Sequence, residues 1–150
     1  MKQKYITYSA AQTKGLGKKI SKKILKSFIN KNAVIISLEG DLGSGKTTFV
    51  QGLAKGLGVK DKILSPTFVL MKNYKIPSTN KQFYHIDCYR IKKAQDLSAL
   101  GLEKLFLNPQ NIIVIEWAER IKKILPEDTI VLEFKFVSQK QRKIITEYIF

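Results

Sequence analysis

The stretch Gly40-Asp41-Leu42-Gly43-Ser44-Gly45-Lys46-Thr47 satisfies the pattern G-x-x-x-x-G-K-[ST], and its flanks limit what the chain can fold into. Ala33 to Leu38 is an apolar, β-branched run that reads as a buried strand. From Thr47 to Leu57, Phe49, Val50, Leu53, Ala54 and Leu57 recur at helical spacing. Strand, glycine loop, helix is the context that separates a phosphate-binding loop from a chance match, the alternative being a glycine-rich turn that binds nothing. Gly40, Gly43 and Gly45 tolerate positive φ and let backbone N–H groups approach phosphate oxygens with no Cβ in the way. The helix start adds unpaired N–H groups and the positive end of its dipole. The expected phosphate cradle is therefore Asp41, Leu42, Gly43, Ser44, Gly45, Lys46, Thr47 and Thr48. Within it Lys46 reaches the β- and γ-phosphates, and the Thr47 hydroxyl ligates Mg²⁺.

A chain of 150 residues suits one domain, residues 1–150, with a core of ordinary size. Its 44% hydrophobic and 26% charged content is that of a soluble globular protein. No basic-then-apolar leader is visible, and no apolar run approaches the roughly 18 residues of a membrane span. Cys88 is the lone cysteine, so no intramolecular disulfide can form and a reducing cytoplasm is the expected setting. Its neighbours suggest a half-buried strand, where cysteine acts as a small hydrophobe rather than a nucleophile. The net charge of +15 favours an anionic partner such as RNA. Yet all but three of the 27 basic residues are Lys, and bidentate reading of phosphates and bases favours Arg. The charge therefore reads either as a weak electrostatic preference or as a lysine-rich coding bias.

Ahead of the loop, Lys2–Tyr8 reads as a short strand. Ser9 and Gln12 resemble a capping box, and Leu16, Ile20, Ile24 and Phe28 repeat at helical spacing with Lys on the other face. Gly15 and Gly17 weaken that helix but allow close backbone packing. Beyond the loop helix, which should stop near Gly56 and Gly58, Pro66 forces Ser65 to be extended and presents Ser65 and Thr67 on a bent loop. Thr67 is either a switch residue closing on Mg²⁺ and the γ-phosphate or part of a simple turn. Phe68–Tyr74 and Phe83–Arg90 read as a hairpin joined through Lys75–Gln82. Asp87, ending an apolar run, is a candidate to hold Mg²⁺ directly or through water. His85, two residues away on the same strand face, is more simply an orienting hydrogen-bond partner.

Ala94–Phe106 reads as helix broken around Gly101. Asn111–Trp117 is a second buried strand. A carboxylate just after such a strand sits at the carboxyl edge of a parallel sheet, where α/β folds bind ligands. Glu116 is thus a candidate to position or deprotonate the attacking water, or to hold Mg²⁺ through water. Trp117 either stacks on a base or partner or closes a core. Ala118–Leu125 is a short helix ended by Pro126. Thr129–Val137 and Arg142–Phe150 read as a hairpin around Ser138–Gln141 and as antiparallel additions to the sheet.

The phosphate loop, Ser65-Pro66-Thr67-Phe68, His85-Ile86-Asp87-Cys88-Tyr89-Arg90 and Ile115-Glu116-Trp117 together resemble the bacterial TsaE (YjeE) ATPase family of tRNA threonylcarbamoyladenosine biosynthesis, over nearly the whole chain. The resemblance implies a three-layer α/β P-loop NTPase fold with parallel central strands and antiparallel flanking strands. It implies Mg²⁺-dependent ATP hydrolysis in support of the family's TsaB and TsaD partners, with any tRNA contact indirect. Those partners install the threonylcarbamoyl group on the adenosine beside the anticodon. The implied roles fall on Lys46 and Thr47 in the loop, Thr67 in the switch, Asp87 at the metal and Glu116 near metal and water, and the region around Ser9–Thr13 is placed near the adenine. Ala118 stands where family members often have Pro, which bears on the local turn and not on the chemistry.

Other readings of the loop fare less well. A GTPase would carry Asn-Lys-x-Asp late in the chain, and neither Asn30-Lys31 nor Asn80-Lys81 qualifies. A small-molecule kinase usually adds an arginine-rich lid, for which Arg90, Arg120 and Arg142 offer little material. A binding module in which ATP only sets the conformation shares the whole loop and differs through Asp87 and Glu116. Few arginines in cis also imply slow hydrolysis without partners.

Overall fold

The computed structural model describes residues 1–27, 30–66 and 70–150, with the side chains of Ser27 and Ala94 outside the description. In chain order the elements are β1 (Gln3–Thr7), α1 (Ala10–Ser27), β2 (Val34–Glu39), α2 (Lys46–Gly56), β3 (Met71–Lys75) and β4 (Gln82–Asp87). A 3₁₀ segment (Ala94–Leu100), α3 (Leu102–Leu107), β5 (Asn111–Glu116), a second 3₁₀ segment (Ala118–Ile124), β6 (Ile130–Phe136) and β7 (Arg142–Thr146) complete the order.

The strands form a seven-stranded sheet in the order β1-β7-β6-β2-β5-β4-β3. β2, the strand leading into the glycine loop, lies between β5 and β6 and runs parallel to both. β4 runs parallel to β5, whereas β3, β7 and β1 join antiparallel. Period-two alternation along these strands divides the core into two layers. Ile36, Leu38, Ile112 and Val114 face α1 and α2, where they meet Ile20, Ile24, Phe49 and Leu53. Ile35, Ile113 and Ile115 face the other way, towards Leu97, Leu102, Phe106 and Ile121. Helices on both faces of a mixed sheet whose central strands are parallel make the three-layer α/β fold. No helix among the described residues is long and apolar enough to cross a membrane.

α1 and α2 pack closely because glycines leave out side chains where the backbones meet. A Cβ on Gly17 would overlap the Phe49 carbonyl, and one on Gly52 the Lys14 carbonyl. Gly15 faces open space, so the close approach belongs to Gly17 alone of the pair read from the sequence. At the start of α1, the Gln12 N–H donates to Ser9 Oγ at 3.1 Å, and Gln12 Oε1 accepts from the Tyr8 N–H at 2.8 Å. The reciprocal bond of the capping box thus reaches one residue further back than the motif specifies. Phe28, expected on this helix, and Phe68, expected in β3, lie outside the described residues.

The C-terminal hairpin departs from the sequence reading. β6 and β7 do pair antiparallel, but β6 is not a flanking addition: it runs parallel to β2, in register Ile36 to Ile130 and Leu38 to Leu132. Its alternating pattern is compatible with either neighbour direction. In this arrangement Ile130, Leu132 and Phe134 complete the layer beneath α1 and α2.

Candidate active site

Three adjacent parallel strands end at one edge of the sheet, and each brings a carboxylate there. Glu116 closes β5 and pairs in register with Leu38 of β2 on one side and with Asp87 of β4 on the other. Glu39, the last residue of β2, leads directly into the glycine loop. The sheet register therefore aligns Asp87 and Glu116 beside the loop although they are 29 positions apart in sequence.

The loop needs its glycines. Gly40, Gly43 and Gly45 have φ of 138°, 77° and 98°, in the region L side chains rarely adopt. At Gly40 a Cβ would also run into the Phe134 carbonyl. The Ser44 N–H donates to the Asp41 carbonyl at 3.2 Å, and Gly45 caps α2, its carbonyl accepting from the Phe49 N–H at 2.9 Å. Gly45 supplies no side-chain cap to α2, so among the described residues no side chain at the N-cap position covers the positive end of that helix at the loop.

Lys46 is 95% buried by accessible surface, its exposure being 5%. Its Nζ donates to the carbonyls of Gly40 at 2.5 Å and Asp41 at 2.9 Å, and to Ser44 Oγ at 3.3 Å. It also stands 4.1 Å from the centre of the Trp117 ring, a cation–π arrangement. Burial lowers its pKa from the usual lysine range, opposed by the charges of Glu116, Glu119, Asp41 and Asp87. Trp117 takes this position through a left-handed turn, with φ of 57°, at the end of β5. Its ring packs on Tyr89, centroids 5.0 Å apart, and Arg120 lies 5.5 Å from it.

Both oxygens of Glu116 are engaged. Oε1 accepts from the Thr47 hydroxyl at 2.7 Å, and Oε2 lies 2.5 Å from His85 Nε2. His85 is fully buried, and its Nδ1 has no hydrogen-bond partner among the described residues. Asp87 is held likewise: Oδ2 accepts from the Ser65 hydroxyl at 2.5 Å and Oδ1 from the Tyr89 N–H at 2.9 Å. Asp41 and Leu42 lie at the exposed tip of the loop, while Thr48 is half-buried. Thr67, read from the sequence as a switch, lies outside the described residues.

These groups share one cavity of about 350 Å³, lined by Leu42 to Thr48 together with Ser65, Asp87, Tyr89, Glu116, Trp117 and Arg142. A second cavity of about 440 Å³ begins where the first ends, sharing Gly45, Thr48 and Arg142 and continuing over Tyr8, Ser9, Thr13, Gln139 and Lys140. Larger hollows of about 650 Å³ and 680 Å³ lie elsewhere and contain no residue of the glycine loop, so size does not locate the chemistry. Tyr89 and Trp117 stand in the stretches His85–Arg90 and Ile115–Trp117 that carry the resemblance, whereas Arg142 carries no motif that would have assigned it a place. Among the described residues no group of three or more His, Cys, Asp or Glu side chains forms a self-sufficient metal cage. Two carboxylates and a hydroxyl beside a phosphate loop instead suit Mg²⁺, which keeps several waters and takes substrate oxygens for the rest of its shell.

Comparison with known proteins points to one family. Residues 7–144 match the family model described as threonylcarbamoyl adenosine biosynthesis protein TsaE. The tRNA threonylcarbamoyladenosine biosynthesis protein TsaE of Bacillus subtilis is 35% identical over 148 residues, covering 96% of this chain and 85% of the relative. The protein of the same name from Haemophilus influenzae is 38% identical over 120 residues, 80% of this chain and 73% of the relative. Among solved structures, Bacillus subtilis YdiB superimposes with a TM-score of 0.76 at 29% identity, covering 97% of this chain and 84% of that one.

Proposed function

This chain belongs to the TsaE family of tRNA threonylcarbamoyladenosine biosynthesis, and from that premise we propose that it is a single-domain, cytoplasmic, Mg²⁺-dependent ATPase supporting threonylcarbamoyl transfer to the adenosine next to the anticodon. The observation that carries this reading is the shared cavity in which Lys46, Thr47, Asp87 and Glu116 meet beside an uncapped helix start.

In this reading, the amides from Asp41 to Thr48 and the Lys46 ammonium hold the triphosphate. Lys46 exchanges the neutral carbonyl acceptors of its loop for charged phosphate oxygens, which hold an ammonium more strongly. The Thr47 hydroxyl, with Asp87 and Glu116 directly or through water, holds Mg²⁺, which when bound neutralises charge on the phosphates. Glu116 is oriented by His85 through one oxygen and leaves its other towards the cavity and Thr47. There it can turn a water molecule towards the terminal phosphate and accept its proton. Thr67 takes the switch role that the family resemblance implies. The cavity over Tyr8, Ser9 and Thr13 takes the adenine, because it continues from the phosphate cavity through Gly45 and Thr48.

Hydrolysis is slow in the isolated chain and is raised by a complex with TsaB and TsaD, which carries out the transfer itself; tRNA is touched indirectly. The test is single-turnover hydrolysis of radiolabelled ATP by the isolated chain and by the chain with the two partners, for wild type and Lys46→Ala. Mg²⁺-dependent release of phosphate to water, raised by the partners and lost in the variant, is expected. An unchanged rate in Lys46→Ala overturns the site, and phosphoryl transfer to a second metabolite points to a kinase instead.

A further inference from the structure

Arg142 opens β7 and is one of three arginines in the chain, yet no motif marks it and none of the roles above uses it. Its side chain spans the gap between the β6–β7 turn and the glycine loop. Nε donates to the Gly43 carbonyl at 3.1 Å. Nη1 donates to the carbonyls of Ser138 at 2.6 Å, Gln141 at 3.1 Å and Gln139 at 3.3 Å. The guanidinium carbon stands 4.6 Å from the centre of the Phe136 ring. The stem runs alongside the glycine loop, its Cγ 3.6 Å from where a Cβ on Gly45 would stand, an ordinary van der Waals separation.

Two of the three guanidinium nitrogens are therefore committed to backbone carbonyls, and Nη2 has no acceptor among the described residues. Those carbonyls and the aromatic face hold a planar fork in one orientation, so little freedom remains to be lost when a further acceptor arrives. Among the described residues Arg142 is also the one charged side chain that lines both cavities, beside the other shared residues Gly45 and Thr48.

We propose that Arg142 is a nucleotide-binding residue that fastens the β6–β7 turn to the phosphate loop and offers its remaining guanidinium edge to a phosphate oxygen where the two cavities meet. This rests on the reading of the site as an ATP site and adds to it a specific anchor from the far end of the chain. Two consequences separate the anchor from ordinary packing. The contact is present before and after the terminal phosphate is cleaved, so it acts on binding of ATP and ADP alike and not on the chemical step. It also needs a fork that donates in several directions at once, which a lysine ammonium does not reproduce.

The experiment measures ADP and Mg²⁺–ATP affinity by calorimetry for wild type, Arg142→Lys and Arg142→Ala, with single-turnover rates at saturating ATP and an unfolding scan of each. Both variants should bind ADP and ATP about tenfold or more weakly, as expected for loss of a charge-assisted hydrogen bond. Their saturated rates should stay within about threefold of wild type, since uniform binding lowers affinity without changing turnover. ADP affinity within twofold of wild type in Arg142→Lys overturns the proposal, as does a lost rate with unchanged affinity. Should Arg142→Ala fail to fold, the Lys variant decides alone. A wild-type chain that binds neither nucleotide overturns the ATP-site reading itself, a result distinct from either of these.

Discussion

Thr47 donates its hydroxyl to Glu116 at 2.7 Å across 69 positions of sequence. The bond joins the first turn of α2 to the end of β5, so the helix that presents the phosphate loop and the carboxylate at the sheet edge are fixed relative to each other. Both partners are adjustable when a nucleotide arrives: the hydroxyl can rotate to a metal, and the carboxylate keeps its hold on His85.

Glu116→Gln preserves shape and retains an oxygen for the Thr47 hydroxyl while removing the charge. Nucleotide affinity should stay within about threefold and turnover should fall about a hundredfold or more, as for loss of a general base. Asp87→Asn can still accept from the Tyr89 N–H, but it should raise the Mg²⁺ concentration needed for half-maximal hydrolysis about tenfold. A nucleotide titration and a Mg²⁺ titration of the two variants separate the roles; loss of nucleotide binding in Glu116→Gln would move that residue to the metal.

His85→Ala leaves Glu116 Oε2 buried with no partner at hydrogen-bond distance. A cost to stability of about 1–3 kcal/mol follows from that unpaired oxygen. Turnover should drop about tenfold or more because an outer residue that orients a ligand is lost, with the KM for ATP little changed. Steady-state kinetics beside a denaturant titration checks this: if turnover per folded molecule is unchanged, His85 is packing alone.

The same substitution at two glycines of α1 should have opposite signs. Gly15→Ala places a methyl group in open space and should stabilise by about 0.5–1 kcal/mol through helix propensity. Gly17→Ala drives its Cβ into the Phe49 carbonyl of α2 and should destabilise by about 1–3 kcal/mol through overpacking. Urea midpoints of the two variants against wild type give the comparison directly.

Burial, reinforced by the neighbouring Asp87 charge, pushes the Cys88 thiol up to about 12. Native protein at pH 8 should therefore resist iodoacetamide, and denatured protein should react. The unfolded chain releases this proton near 9.0 while the folded chain keeps it to about 12. Below the lower value the group contributes no pH dependence. Between the two, the folded state binds more protons and stability falls with rising pH, by about 1.4 kcal/mol per unit from this group. Cys88→Ala should lack that part of the slope in denaturant titrations at stepped pH.

The loop, β2, α2 and the two strand-end carboxylates were legible in sequence because each is a local matter. Positive φ at Gly40, Gly43 and Gly45 is a property of single residues. The alternation of Ile35 and Ile36 between opposite core layers follows from strand geometry within one segment. Glu116 could be placed at a sheet edge, and Asp87 read as a metal candidate, because each ends its own apolar run. The Gly101 break between the 3₁₀ segment and α3 is equally local, a left-handed residue with φ of 64°.

What the tertiary structure alone decided are relationships between segments with no shared pattern. Parallel pairing of β6 with β2, the His85 bond to Glu116 across 31 positions and the Arg142 reach to Gly43 across 99 depend on which strands become neighbours. Residue types and periodicity state what a strand can bury, but not beside which strand it lies. That choice is made by the joint packing of both core layers, and it is what brings an arginine from the last strand to the phosphate loop.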